Sequence, residues 1–83
     1  MQLITRKINT QNSTLNRLII ELQEECQNVL SLVNQLQSSE LNDRQTGEIL
    51  SELLVSTIHL HSHCDEDLQN LISDEIEDFG DEI

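Results

Sequence analysis

Proline, tryptophan and tyrosine are absent from this chain of 83 residues; glycine and cysteine occur twice each, phenylalanine once, and lysine and arginine together four times. Each scarcity excludes something. Strands favour aromatic and β-branched residues and hairpins need turn glycines, so a β-sheet protein is excluded in favour of helix. Two cysteines 38 positions apart form no CxxC redox motif and no disulfide framework. No apolar run approaches the roughly 20 residues that span a bilayer, and MQLITRKINT lacks the apolar core of a secretory signal. The expectation is a cytoplasmic protein with no membrane partner.

What is abundant is acid. Sixteen carboxylates against four bases give a net charge of −12, which argues against direct nucleic-acid binding because phosphate contacts need a basic surface. The charge is uneven. Residues 1–40 carry Arg6, Lys7 and Arg17 against four acids, whereas residues 41–83 carry Arg44 against twelve, nine of them between Asp65 and Glu82. A basic protein partner suits such a surface.

Apolar residues at Leu15, Ile19, Leu22, Cys26, Val29, Val33 and Leu36 alternate steps of four and three, which is heptad spacing. Carried back through Ile8 and Ile4, the stripe predicts a first helix over about 3–38, although Asn12 or Ser13 would cap a shorter one. Ile20 and Leu32 lie off this stripe as extra apolar surface. A second stripe, Leu50, Leu53, Leu54, Leu60, Cys64, Leu68, Leu71, Ile72 and Ile76, predicts a helix over about 43–78. A turn over 39–42 joins the two, with Asn42 and Gln45 as a capping pair, and an acidic tail fills 79–83.

The expected fold is therefore all-α, a single domain over 1–83 built as a long antiparallel helical hairpin. A turn centre at 40–41 would bring Arg6 and Lys7 opposite Glu75 and Asp74, and Cys26 opposite Val55. The cysteines would then be too far apart to pair, and both are read as small buried hydrophobes. A lone hairpin leaves much of each stripe wet, so a homodimer forming a four-helix bundle is expected. A hairpin ordered on another protein, or a break near Ser62 giving a three-helix monomer, are the alternatives.

IHLHSHCDED, residues 58–67, resembles metal-binding sequence because it packs three histidines, a cysteine and three acids into ten positions. On one helix, however, His59 and His63 share an outer stripe with Glu48, Glu52 and Glu66, while His61 and Cys64 turn towards Leu60 and Leu68. The candidate ligand sets are thus His59, His63 and Glu66 at a surface site, or His61 and Cys64 doubled across a dimer. A solvated face is preferred to both, and no cofactor is expected. An EF-hand loop and the Glu-x-x-His pair of di-iron bundles are both missing. A Cys64 nucleophile with His61 as base would lack a pocket and an oxyanion hole, so the chain is not read as an enzyme.

LHSHCDEDL and the later FGDE resemble the second helix and tail of the plasmid copy-control Rop hairpins, which dimerise into four-helix bundles. The resemblance covers about a dozen residues and implies a shared architecture alone; helix 1 here lacks the basic face with which that family contacts RNA, so no residue or function transfers. The preferred function is a non-enzymatic interaction module or small regulator, acting as a homodimer with an acidic C-terminal docking segment. Its candidate partner-binding residues are Glu48, Glu52, Ile76, Phe79 and Ile83, with the last two as anchors and the acids as steering charge. The alternatives are an acidic nucleic-acid mimic presenting Glu48, Glu52, Glu66 and Glu77 as a row, and a metal-binding helical bundle.

Overall fold

The computed structural model describes residues 8–80, which form three helices: α1 (Ser13–Leu36), α2 (Asp43–His63) and α3 (Glu66–Gly80). α1 and α2 pack as an antiparallel hairpin, and α3 touches α1 far less extensively. The molecule measures 55 × 28 × 20 Å.

The start of α1 is set by local hydrogen bonding. Asn12 is extended (φ −89°, ψ 109°), and its side chain accepts from the Leu15 amide at 3.0 Å, satisfying a donor that the first turn leaves open. Asn16 Nδ2 donates to the Thr10 carbonyl at 3.1 Å and the Thr10 hydroxyl bonds to Asn16 Oδ1, folding residues 10–12 back over the first turn. Residues 8–12 are therefore not helical, and the expected helix over 3–38 is corrected to Ser13–Leu36. Arg6, Lys7 and their expected pairing with Glu75 and Asp74 lie outside the described residues.

The connection runs over 37–42 and ends in the expected capping box. The Gln45 amide donates to Asn42 Oδ1 at 2.8 Å while the Asn42 amide donates to Gln45 Oε1 at 3.0 Å.

Contrary to the continuous helix expected over 43–78, the second half breaks after His63. Cys64 caps α2 outside helical geometry (φ −95°, ψ 30°), and Asp65 Oδ1 accepts from the Leu68 amide at 3.1 Å, starting α3. Gln69 braces the joint by donating to the Cys64 carbonyl at 3.0 Å. An aspartate in N-cap position competes for the backbone hydrogen bonds that a continuous helix would need. α3 then runs through Phe79 and Gly80, so the tail does not separate at residue 79.

Helix burial also departs from the expected stripes. In α1 the seam Leu15, Leu22, Val29, Leu36 is used as expected, but it is completed by Leu18 and Leu32 rather than by Cys26 and Val33. Leu32 is buried; Cys26 is exposed and Val33 is 36% exposed. In α2 the face turned to α1 is Thr46, Ile49, Leu53, Ser56, Leu60 and His63, again in alternating steps of three and four, while Leu50 and Leu54 turn out. α3 buries Leu68 and Glu75, with Leu71 between them half-buried.

Candidate interaction surface

Two contacts fix how the hairpin is rotated. Asn28 Nδ2 donates to the Ser56 hydroxyl at 2.6 Å, and His59 Nδ1 lies 3.1 Å from Glu25 Oε1. Three residues forward on α1 correspond to three back on α2, which centres the register on residue 42 rather than 40–41. Cys26 is then level with Ile58, not with Val55. Three of these side chains, Asn28, Ser56 and His59, line a shallow groove of about 450 Å³ on one side of the hairpin, together with Ser51, Glu52 and Val55. Arg17 and Glu21 of α1 and Glu48 of α2 fall on this side by helical phase, which makes it the charged side.

The opposite side differs in kind. Rotating about 50–130° past each buried seam, in the direction of chain advance, reaches Ile19, Cys26, Leu30 and Val33 on α1 and Leu50 and Leu54 on α2. Because the helices run antiparallel, the same sense of rotation on each brings these residues to one common side. Leu30 is level with Leu54 in the observed register, and they are 60% and 62% exposed; Leu50 is 49% exposed, and Ile58 at the outer edge is also exposed. Between them lie Gln23, Gln27, Asn34, Thr57 and His61, with no Asp, Glu, Lys or Arg on this stretch of either helix.

IHLHSHCDED has a structural explanation in this arrangement. His61 and His63 occupy the last turn of α2 and Glu66 and Asp67 the first turn of α3, with the Asp65 cap between them. Basic groups at a helix C-terminus and acidic groups at an N-terminus complement the helix dipoles, so the cluster marks the end of one helix and the start of the next. The expected division into two faces holds only for His59, which shares a face with Glu48 and Glu52 and lies 3.1 Å from Glu25; His63 lies half-buried on the stripe facing α1 instead of beside them. His61, Cys64 and Glu66 are exposed. Among the described residues no three His, Cys, Asp or Glu side chains are grouped to hold a metal ion. Both cysteines are free and exposed, which corrects the reading of them as buried hydrophobes.

Of the candidate partner-binding residues, Glu48 is exposed and lies 3.4 Å from Arg44, an i,i+4 pair too open to matter much for stability. Glu52 lines the groove beside His59, whereas Ile76 and Phe79 are exposed on α3 at 62% and 43%. Ile83 lies outside the described residues. The break at Cys64 and Asp65 places Glu66 and Glu77 on a different helix from Glu48 and Glu52, so no single helix carries that carboxylate row.

No helix among the described residues is long and apolar enough to cross a membrane. Comparisons with protein-family models, with curated proteins and with solved structures find no match to this chain.

Proposed function

We propose that the chain is a non-enzymatic protein-interaction module that works as a homodimer, two hairpins joining through the uncharged side of α1 and α2 into a four-helix bundle, with α3 as the acidic docking element for a further protein. The observation that carries this reading is the doubled apolar surface of each hairpin helix. A helix with one neighbour needs one apolar stripe; a helix in a bundle has two neighbours and needs a wider one. In α1 the seam from Leu15 to Leu36 is flanked on one side by Leu18 and Leu32, which serve α2, and on the other by Cys26, Leu30 and Val33, which are left exposed among the described residues.

The balance of burial supports the same reading. Leu15, Leu32 and Leu68 are the buried large apolar side chains among the described residues, against nine exposed ones. A core this small rarely supplies more than about 3–5 kcal/mol by itself. A second copy is the fitting occupant because the free side runs along the hairpin and carries no Asp, Glu, Lys or Arg from Leu50 to His61 of α2 or opposite them on α1, so two chains of net charge −12 can meet there with most of their acids directed elsewhere. Sedimentation equilibrium of the full chain tests this: the reading requires twice the 9.5 kDa protomer mass at micromolar concentration. A single protomer mass throughout would refute it.

A further inference from the structure

Charge is distributed unevenly along the hairpin. Gln11 and Asn12, just before α1, share a groove with Asp74, Glu75, Asp78 and Phe79 of α3, so α3 occupies the end where α1 begins and the 37–42 connection forms the other end. Residues 65–80 carry seven acids and no base, and Arg6, Lys7 and Arg17 are too few to cancel them. The connection end is milder, with Glu40, Asp43 and Glu48 against Arg44.

The uncharged side lies between these ends. In the register centred on residue 42, Leu50 is level with Asn34 and His61 with Gln23, so the uncharged stretch is centred near residues 28–29 of α1. Two copies can lay this stretch on its counterpart in two ways. A two-fold axis along the hairpin sets each level on itself and brings both α3 helices to the same end; an axis across the hairpin at residues 28–29 inverts one copy and sends them to opposite ends. The stretch superposes on itself in both, so its apolar burial does not choose between them.

Charge does. The axis along the hairpin gathers two groups of seven acids at one end. The axis across it holds them about 50 Å apart, twice the rise of the roughly 17 residues between Asn12 and the axis, far beyond a screening length of about 8 Å. Meeting at one end would give exposed Ile72, Ile76 and Phe79 a neighbour, but Asp74, Glu75, Glu77 and Asp78 alternate with them on the same short helix, so that contact would crowd like charges.

We propose that the two copies join about the axis across the hairpin, so that the dimer presents one acidic α3 docking element at each end rather than two side by side. The proposal rests on the homodimer reading and supplies its geometry.

The test is pulsed dipolar EPR on the full chain, spin-labelled at one exposed site at a time, Ser39→Cys in the connection or Ser73→Cys in α3, with Cys26→Ala and Cys64→Ala removing the native thiols. The expected separations between copies are about 30–35 Å for the first label and about 50 Å for the second. Ser39 labels within about 20 Å of each other, the spacing of adjacent helices plus the label arms, would overturn the proposal. Isotope-filtered NOEs on the unsubstituted chain give a second reading if Cys26→Ala disturbs association. His61 of one chain should contact Val33 and Leu50 of the other; contacts from His61 to Ile19 and Ile58 alone would overturn the proposal equally. Mass measured on the same samples separates the two readings: a single protomer mass without dipolar coupling fails the homodimer itself, whereas a dimer with close Ser39 labels fails only here.

Discussion

Leu54 is the most exposed residue of the free side that also lies level with an apolar residue of the neighbouring helix, and its truncation gives the sharpest test of the dimer. Fully burying a leucine is worth about 1.5–3 kcal/mol. With 62% of Leu54 open in the protomer, about 1–2 kcal/mol of that remains for a partner to realise. Two-fold symmetry places the change in the interface twice, so Leu54→Ala should cost the dimer about 2–4 kcal/mol, or roughly 30- to 1000-fold in dissociation constant. The protomer itself loses only the minority of the side chain already packed, about 0.5–1 kcal/mol. The control is Val55→Ala: Val55 is 51% exposed and equally apolar, but it lines the groove on the charged side with Glu52 and His59. Sedimentation equilibrium across a dilution series should show a large shift for Leu54→Ala and less than about threefold for Val55→Ala. Equal effects of the two substitutions would refute the assignment of sides.

Three other perturbations separate parts of the account. Asp65→Ala removes the cap of α3 and should cost about 1 kcal/mol, seen in urea denaturation, with faster amide exchange beginning at Leu68; unchanged exchange would mean that the break is set by something other than the cap. Asn28→Ala strands the buried Ser56 hydroxyl and should cost about 1 kcal/mol, whereas Ser56→Ala returns the exposed Asn28 amide to water and should stay within about 0.5 kcal/mol. Equal losses in thermal melts would contradict that asymmetry. Cys64 should react rapidly with a thiol reagent in the native protein, Cys26 more slowly because it borders the covered side, and Leu54→Glu should raise Cys26 to the rate of Cys64. Equal rates in the unsubstituted chain would argue that the side is open.

Local chemistry was the most legible part of the sequence. Asn42 and Gln45 announce a helix start because reciprocal side-chain caps need that spacing, and the hairpin follows from a short polar link between two amphipathic runs. The phase of α1 was not legible, because the seam Leu15, Leu22, Val29, Leu36 can be completed by Leu18 and Leu32 or by Ile19, Cys26 and Val33 with the same heptad spacing. Both choices satisfy the periodicity, and only the partner helix decides between them. Ile49 against Leu50 poses the same ambiguity in α2.

The break at Asp65, close to the alternative break near Ser62, is hidden from the apolar pattern for a related reason. Leu60, Cys64, Leu68 and Leu71 keep helical phase across it, so a search for apolar spacing passes straight through. The available signal was charge order, histidines followed by a capping aspartate and two further acids, which is what the end of one helix and the start of another require. The same residues suggested a metal because ligand types and dipole-complementing types overlap. The apolar completeness of α1 on both flanks, a nuisance for assigning phase, is the feature that now argues for a second copy.

The measurement that bears most directly on the central claim is an isotope-filtered NOE experiment on a mixed sample of ¹³C-labelled and unlabelled chains. Joining through the uncharged side of the hairpin predicts intermolecular contacts among the methyl groups of Leu30, Val33, Leu50 and Leu54. Contacts confined to Ile72, Ile76 and Phe79 of α3, or none at all at concentrations where the chain is associated, would contradict it.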